Sequence, residues 1–316
     1  MKIVVLDGQA LNPGDLSWAC LNQFGTVAVY DRSENAAERI SDADIVLVNK
    51  VPITAEVIRS CPNLKLICCL STGYNVVDIQ AARSRNIPVC NVPDYSTRAV
   101  SQFTFALLLE LCHRIGHHDR RVHEGAWASC PNFCFWDTPQ MELAGKTMGI
   151  IGFGRIGQAV GRIASAMGMD VLAHSRTRKA EGEAIAKYVE LDTLLARSDV
   201  ISLHCPLFPE TTNLINAETI AKMKDGAILL NTSRGPVIDE AAVAEALHSG
   251  KLRGAAMDVV CAEPIDPGNP LLSAPNCILT PHMAWAPLET RQRILDVTVE
   301  SIQNFLKGTP SNVVNP

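Results

Sequence analysis

The sequence predicts an α/β protein with two domains, each a doubly wound parallel β-sheet with helices on both faces. The chain has 316 residues, of which 47% are hydrophobic, and this is about twice the length of a typical domain. It contains two series of short apolar runs that are continuous, as expected for strands buried on both faces of a parallel sheet. A glycine-rich turn opens the second series.

The first series predicts five strands, with the sequences KIVVLD, TVAVYD, DIVLVN, LKLICCL and IPVCNV. The segment between Ser96 and Glu110 is apolar and lacks Gly and Pro, so we expect a buried helix that leaves this first unit. The stretch 113–140 is rich in His, Trp, Phe and Pro and shows little periodicity. It predicts a long excursion packed against another surface, for which a partner subunit is one candidate.

The second series predicts six strands, with the sequences TMGIIGFG, DVLAHS, DVISLHCP, AILLNTS, GAAMDV and CILTPH. This alternation fits a doubly wound dinucleotide-binding fold. Gly152, Gly154 and Gly157 form a G-x-G-x-x-G turn between a strand and a helix. The first glycine permits the tight turn, the second admits a pyrophosphate, and the third allows close packing of helix on strand. The helix N-terminus offers amides to the phosphates.

Composition excludes several other classes of protein. The net charge is -5 and no Lys/Arg-rich run is present, so we expect no nucleic-acid partner. The sequence has neither a run of roughly 20 apolar residues nor a secretory signal, which predicts a cytoplasmic protein without membrane insertion. Eleven cysteines are scattered without metal-ligand spacing, so we expect reduced thiols and no metal site.

Several further segments occur in a fixed order around the glycine-rich turn. STGYNVVDIQAARSRNIPVCNVP precedes ELAGKTMGIIGFGRIGQAVGRIASAMGM, and SLHCPLFPETTNLI, AILLNTSRGPVIDEAAVAEAL, AAMDVVCAEP and LTPHMAWAP follow it. With these segments the chain resembles the D-isomer-specific 2-hydroxyacid dehydrogenases over essentially its whole length. The resemblance implies an oxidoreductase that transfers a hydride between a nicotinamide cofactor and a small 2-keto or 2-hydroxy acid.

The resemblance also implies the domain organisation. Residues 1–98 would form the first part of a flavodoxin-like substrate domain, and residues 284–316 would return to it. Residues 99–283 would form an inserted Rossmann domain for NAD(P). We expect a homodimer, with the active site in the cleft between the domains, where hinge closure expels water.

Reduction of a 2-keto acid needs a cation for the carboxylate, a proton donor for the carbonyl oxygen and a positioned hydride. Arg234 follows the strand AILLN and matches the family's catalytic Arg; its planar guanidinium can bind carboxylate and keto oxygen together. His282 is expected to be the general acid in reduction and the base in oxidation. Glu263 would bind the other ring nitrogen of His282 and favour the imidazolium. Related formate dehydrogenases carry Gln at that position, which argues for proton-transferring chemistry here.

Substrate anchoring is expected at the turn Ser71, Thr72 and Gly73, whose backbone amides can face an anion. Asn49 and Lys50 end the neighbouring strand and add charge near the carboxylate, although a solvated Lys is an equal alternative.

Aromatic residues give the best indication of the substrate. HMAWAP resembles the glycerate dehydrogenase and hydroxypyruvate reductase branch, in which a Trp, here Trp285, follows the catalytic His by three positions. Phe135 and Trp136 offer a second aromatic wall, contributed by a partner subunit, or else a dimer contact. The expected substrates are hydroxypyruvate and glyoxylate.

Further cofactor contacts are implied by the resemblance. They fall on Thr72, Gly152, Gly154, Arg155, Ile156, Gly157, Cys205, Pro206, Thr211, Thr232, Ser233, Asp258, His282 and Ala284.

The end of the second strand of the dinucleotide domain determines cofactor choice, because an acidic residue there normally binds the ribose hydroxyls. Asp170 stands at the wrong end of this strand, whereas Ser175, Arg176 and Thr177, followed by Arg178, occupy the acid's place. The sequence therefore favours NADP(H) over NAD(H). The alternative is that both arginines are surface residues and that NADH binds through water.

Two other functions stay open. One is a phosphoglycerate dehydrogenase-like enzyme, which is less favoured because no regulatory domain is appended, although short versions exist. The other is a dinucleotide-sensing, corepressor-like binding protein, which is less favoured because no charged or Pro/Ser-rich tail is present.

Overall fold

The structure is a computed structural model that describes all 316 residues. The chain divides into two compact units, of which the first contains residues 1–96 and 285–316 and the second contains residues 97–284. Each unit is built on one all-parallel sheet. The predicted fold class, with two α/β parallel-sheet units, is confirmed.

The first unit contains all five predicted strands. They are β1 (Lys2–Val5), β2 (Thr26–Val29), β3 (Ile45–Val48), β4 (Leu66–Cys69) and β5 (Val89–Cys90). Their order, β2-β1-β3-β4-β5, is the flavodoxin-like order that the resemblance implies. Every residue of β3 and β4 is buried, which explains their uninterrupted apolar sequences.

Four short helices connect these strands. They are α1 (Gly8–Leu11), α2 (Ala36–Arg39), α3 (Ala55–Ser60) and α4 (Ile79–Ser84). A 3₁₀ helix, Trp18–Phe24, precedes β2. Thr54 and Asp78 cap α3 and α4 through side-chain oxygens that accept backbone N–H groups, which fixes where these helices begin.

The second unit begins with two helices and continues as a strand-helix series. Its helices are α5 (Thr97–His113), α6 (Ile115–His123), α7 (Arg155–Ala166), α8 (Ala180–Glu183), α9 (Leu191–Arg197), α10 (Ala217–Ala221) and α11 (Glu240–His248). Its strands are β6 (Thr147–Ile151), β7 (Asp170–His174), β8 (Lys187–Tyr188), β9 (Val200–Leu203), β10 (Ala227–Asn231), β11 (Leu252–Met257) and β12 (Cys277–Leu279). Three one-turn 3₁₀ helices lie at Pro209–Thr211, Gly235–Val237 and Pro270–Leu272.

The sheet order of the second unit is β12-β11-β10-β9-β6-β7-β8. The direction of winding reverses between β6 and β9, which is where doubly wound folds bind dinucleotides. The prediction of six strands was one short, because the edge strand β8 is only two residues long. Its sequence, KY, has no β-branched run that could reveal a strand.

The predicted buried helix is α5, and it packs against α7. The prediction for 113–140 missed α6, none of whose residues is buried. Its polar sequence gives no apolar periodicity, which is the signal that sequence-based prediction uses. Side chains fix it instead: His118 donates from Nδ1 to the Arg114 carbonyl at 2.9 Å and accepts at Nε2 from the Asp137 amide at 3.2 Å.

The last helix, α12 (Leu288–Leu306), belongs to the first unit. Its buried Arg291 forms a bidentate ion pair with Asp15, at 2.6 and 2.7 Å. The same guanidinium donates to the Leu11 carbonyl at 3.0 Å, so the helix is tied to the segment after α1. None of the helices combines the length and the apolar character needed to cross a bilayer.

Candidate active site

The structure brings the predicted proton donor and its orienting carboxylate together. Nδ1 of His282 lies 2.7 Å from Oε2 of Glu263. Both side chains are partly accessible, at 30% and 37%. Because Glu263 occupies Nδ1, the other ring nitrogen of His282 is the one that can reach a substrate oxygen.

A buried carboxylate holds the turn that carries His282. Asp258, which is 1% exposed, accepts hydrogen bonds from the Thr280 hydroxyl at 2.7 Å and from the Met283 and Ala284 amides at 2.9 Å. The backbone of His282 has φ +52°, a left-handed conformation that is uncommon outside glycine and persists where surrounding bonds impose it.

The surroundings of Asp258 shift the pKa of its carboxyl group. Burial raises the pKa of its carboxyl group, and the hydrogen bonds from Thr280, Ala284 and Met283 oppose that shift. Three of its acceptor sites are used within the protein, so the structure shows a positioning role. The contact of Asp258 with a cofactor stays a prediction.

Arg234 follows β10 in a turn organised by Asn231. The fully buried Asn231 side chain accepts from the Ser233 amide at 3.0 Å and donates to the Arg234 carbonyl at 2.9 Å. A Cβ atom at Gly235 would lie 2.0 Å from the carbonyl carbon of Val260, so only glycine fits there. The exposed Arg234 donates to the Ser233 carbonyl at 2.6 Å.

The three predicted catalytic residues follow neighbouring strands. Arg234 follows β10, Glu263 follows β11 and His282 follows β12, and these strands pair in that order. Because parallel strands end at the same edge of a sheet, the three side chains lie on loops at one edge of the second unit, where doubly wound folds bind their ligands.

The glycine-rich turn fits a dinucleotide. Gly152 has φ +91°, and a Cβ atom there would lie 2.3 Å from the Cys205 amide nitrogen. At Gly157 a Cβ atom would lie 2.2 Å from the Gly152 carbonyl oxygen, whereas at Gly154 it would meet no atom within 4 Å. The middle glycine therefore faces the open space that a pyrophosphate needs, at the N-terminus of α7.

Other predicted cofactor residues have structural partners. The Thr211 hydroxyl accepts from the Phe208 amide at 2.7 Å and donates to the Pro206 carbonyl at 2.8 Å, which closes the loop after β9. The Thr232 hydroxyl lies 3.2 Å from that of Thr104. Arg155 and Ile156 begin α7.

The two arginines after β7 have different surroundings. The Arg176 guanidinium carbon lies 5.3 Å from the centroid of the Phe208 ring. Arg178 lies over the Tyr188 ring at 6.0 Å and pairs with Glu190 at 3.3 Å. Ser175 and Thr177 flank Arg176. Arg178 thus already has a carboxylate partner, whereas the Arg176 guanidinium is only stacked.

In the first unit, the predicted anion loop follows β4. The Ser71 hydroxyl donates to the Gly73 carbonyl at 2.7 Å, and the Thr72 hydroxyl donates to the Val92 carbonyl at 2.8 Å. The backbone amides of Ser71, Thr72 and Gly73 have no acceptor within the chain. This arrangement fits the predicted use of amides for an anion.

Asp7 is a residue that the sequence argument missed. Its carboxylate accepts from the amides of Asn49 at 2.8 Å, Lys50 at 2.5 Å and Val51 at 3.3 Å, which fixes the loop after β3. Lys50 is exposed and lines a cavity of about 730 Å³ together with Arg32. Asp7 lies two residues after β1, and an acidic residue at this position was the sequence signal that could have identified it.

Trp285 begins the return to the first unit. Its ring makes an edge contact with Tyr95 at 6.4 Å and packs, half-buried, against the core. Phe135 lies 6.2 Å from the His118 ring, and Trp136 is exposed.

Comparison with known proteins identifies the family. Residues 105–284 match the model for the NAD binding domain of D-isomer specific 2-hydroxyacid dehydrogenases. The chain is 56% identical to the hydroxypyruvate reductase of Blautia hydrogenotrophica over 100% of both chains. The chain belongs to the D-isomer-specific 2-hydroxyacid dehydrogenase family. This dehydrogenase is therefore an oxidoreductase that acts on a CH–OH group, and the enzyme class expected from the sequence is confirmed.

Two further likenesses agree with this assignment. The dehydrogenase is 39% identical to the glycerate dehydrogenase of Methylorubrum extorquens, over 99% of this chain and 98% of that one. The solved structure of an acyclic imino acid reductase in complex with NADPH and D-Arg matches with a TM-score of 0.84 and 32% identity, over 99% of this chain and 100% of that one. A nicotinamide cofactor is supported by both the family model and this structure.

Proposed function

We propose that this dehydrogenase interconverts hydroxypyruvate and D-glycerate, and also glyoxylate and glycolate. The observation that carries the proposal is the 2.7 Å bond between His282 and Glu263 on loops neighbouring that of Arg234. The 56% identity to a hydroxypyruvate reductase supports the choice of substrate.

A nicotinamide dinucleotide, held at the turn of Gly152, Gly154 and Gly157, would supply a hydride to the carbonyl carbon in reduction. Arg234 binds the carboxylate and the keto oxygen and stabilises the negative charge that develops on that oxygen. Nε2 of His282 gives its proton to the same oxygen, which completes the alcohol. Glu263 accepts the Nδ1 proton in a hydrogen bond and stabilises the imidazolium before transfer. The imidazole then regains a proton from solvent.

A substrate panel tests the proposal. We expect the highest kcat/KM with hydroxypyruvate, then glyoxylate, and lower values with pyruvate and a phosphorylated keto acid. Trp285→Ala should lower kcat/KM for hydroxypyruvate about tenfold, since loss of one apolar contact changes discrimination by a few kcal/mol at most, and should leave dinucleotide affinity unchanged. Trp18→Ala, another half-buried Trp of this unit, is the matched control.

Other outcomes favour other functions. Equal losses of substrate use and dinucleotide binding in the Trp285 variant would make that residue structural. Preference for the phosphorylated acid would favour the phosphoglycerate dehydrogenase-like alternative. Absence of nicotinamide oxidation with every keto acid would favour a binding protein.

We also propose that NADP(H) is preferred over NAD(H). Support comes from Arg176, which is exposed at the end of β7 and stacked on Phe208, a position from which its guanidinium can pair with a 2′-phosphate. Arg176→Ala should lower kcat/KM for NADPH about 10- to 100-fold, because a charge-assisted hydrogen bond contributes about 1.5–3 kcal/mol. The value for NADH should stay within about twofold.

Arg178→Ala is the control, and it should have a smaller effect because Arg178 pairs with Glu190. The proposal is wrong if kcat/KM for NADH exceeds that for NADPH by about tenfold, or about 1.4 kcal/mol.

A homodimer and a cytoplasmic location stay predictions. The surface that favours a dimer contains three aromatic side chains close together in sequence, Trp127, Phe133 and Trp136, which are 53%, 90% and 65% exposed. Exposed aromatics in one segment are typical of protein interfaces.

A further inference from the structure

Glu240, the first residue of α11, binds both ends of the loop that carries Glu263. Its Oε1 accepts the Cys261 amide at 2.8 Å, and its Oε2 accepts from Nδ2 of Asn269 at 3.0 Å. The segment between Cys261 and Asn269 is mostly exposed, so little apolar packing fixes its shape. Bonds to a carboxylate are stronger than neutral ones, so these two bonds restrain both ends of the loop.

The bond between Glu240 and the Cys261 amide restrains a backbone segment that contacts two parts of the site. The Val260 amide donates to Oε1 of Glu263 at 3.4 Å. The backbone of Gly235, next to Arg234, packs against the carbonyl group of Val260. The peptide that joins Val260 to Cys261 therefore packs against the Arg234 turn through its carbonyl group and is held by Glu240 through its N–H. The peptide just before it supplies the Val260 N–H that reaches the Glu263 carboxylate.

The bond between Glu240 and Asn269 is also fixed by its surroundings. Asn269 is buried, and its Oδ1 accepts the Leu271 amide at 3.0 Å as the cap of the 3₁₀ helix Pro270–Leu272. Its amide group cannot rotate without losing that cap. The side-chain nitrogen must therefore face Glu240, and only an acceptor at position 240 satisfies it.

We propose that Glu240 is a positioning residue for the proton-transfer pair of His282 and Glu263. It fixes the loop that carries Glu263 through its bonds to Cys261 and Asn269. This inference rests on the proposed function. With Glu240 in place, the Glu263 carboxylate stays at hydrogen-bond distance from His282 and keeps the imidazolium stabilised. Without it, the loop samples positions in which that bond is longer, and proton donation suffers before cofactor binding does.

The test is Glu240→Gln in the full-length protein. The Gln carbonyl still accepts from Cys261, but its NH₂ group meets the Nδ2 donor of Asn269. We expect kcat for hydroxypyruvate reduction to fall about tenfold. The pH at which reduction fails should move down, because Glu263 then stabilises the imidazolium less. The KM for the dinucleotide should not change. Glu245→Gln, an exposed position on the same helix, is the matched control.

A second substitution should restore the activity that is lost in Glu240→Gln. In Glu240→Gln with Asn269→Asp, one Asp oxygen caps Leu271 and the other accepts from the Gln amide, so the pair is restored with donor and acceptor exchanged. The double variant should recover kcat and the pH profile, whereas Asn269→Asp alone, which places two carboxylates together, should not. A tenfold loss with an unmoved pH profile, or no recovery in the double variant, would overturn the proposal.

Cys261 gives a readout that does not depend on activity. Burial and the Glu240 carboxylate raise the pKa of its thiol to about 11. Alkylation of Cys261 at pH 9, followed by mass spectrometry of its peptide, should therefore be faster in Glu240→Gln than in the wild type. Unchanged alkylation would contradict the contact itself. Faster alkylation in a protein that turns over no keto acid would mean instead that the proposed function has failed.

Discussion

Replacement of His282 by Ala is expected to lower kcat for hydroxypyruvate reduction by roughly a thousandfold, within the usual contribution of a general acid. Dinucleotide affinity should change far less than kcat, since the imidazole is proposed to act on the substrate oxygen and His282 is one of many expected cofactor contacts. Steady-state kinetics and dinucleotide titration would measure the two effects separately.

A control is needed because His282 has φ +52°, which Ala adopts less readily. His282→Asn removes the proton donor with a residue that tolerates this conformation, and its side-chain NH₂ can still donate to Glu263. Both variants should lose activity to a similar extent. If His282→Asn were active, the loss in His282→Ala would reflect the turn and another group would be the acid.

Glu263→Gln extends the same prediction to pH. The Gln carbonyl can still accept from Nδ1 at the position where the carboxylate now lies 2.7 Å away. The substitution removes the negative charge beside the imidazolium, so the protonated ring is less stabilised. Reduction should therefore fail at a lower pH than in the wild type. An unchanged pH profile would remove Glu263 from this role.

The fold was predictable because its main signals lie in local sequence. Strands such as β3 and β4 are buried on both faces, and burial on both faces produces uninterrupted apolar runs. The Gly152 turn was recognisable because its close contact with Cys205 excludes any side chain. In contrast, β8 pairs through only Lys187 and Tyr188, and α6 buries none of its residues, so neither leaves a periodic pattern.

The arrangement of the candidate site was predictable where motifs contain its residues, but not where backbone amides complete it. His282, Glu263 and Arg234 stand in recognisable segments. The positioning roles of Asp258 and Asp7 depend on amides distant in sequence, those of Ala284 and Asn49 among them. Amides carry no sequence signal, so only the folded chain shows which carboxylate they bind.

The two arginines after β7 show that side-chain contacts between distant segments were also not predictable from the sequence. The sequence places Arg176 and Arg178 in equivalent positions two residues apart. Only the structure shows that Arg178 pairs with Glu190 while Arg176 stacks on Phe208. The choice between them as a phosphate ligand therefore depends on contacts with two other loops.

Arg234→Lys is expected to lower kcat/KM for hydroxypyruvate by about 10²–10³-fold, the usual cost of removing one donor to a developing oxyanion. Lysine keeps the positive charge but presents a point charge in place of a planar fork, so it cannot bind the carboxylate and the keto oxygen together. The turn itself should persist, because Asn231 binds the backbone carbonyl of residue 234, and dinucleotide affinity should not change.

Arg253→Lys, the same substitution near the start of β11, is the control and should retain normal kinetics. Guanidinium ion added to an Arg234→Ala variant should restore part of the lost rate, since it supplies the missing planar donor. Near-normal turnover by Arg234→Lys would show that bidentate binding is not required. The same would follow if guanidinium failed to rescue Arg234→Ala and Arg253→Lys also lost its activity. Near-normal turnover would mean that a point charge at position 234 is enough to bind the keto acid.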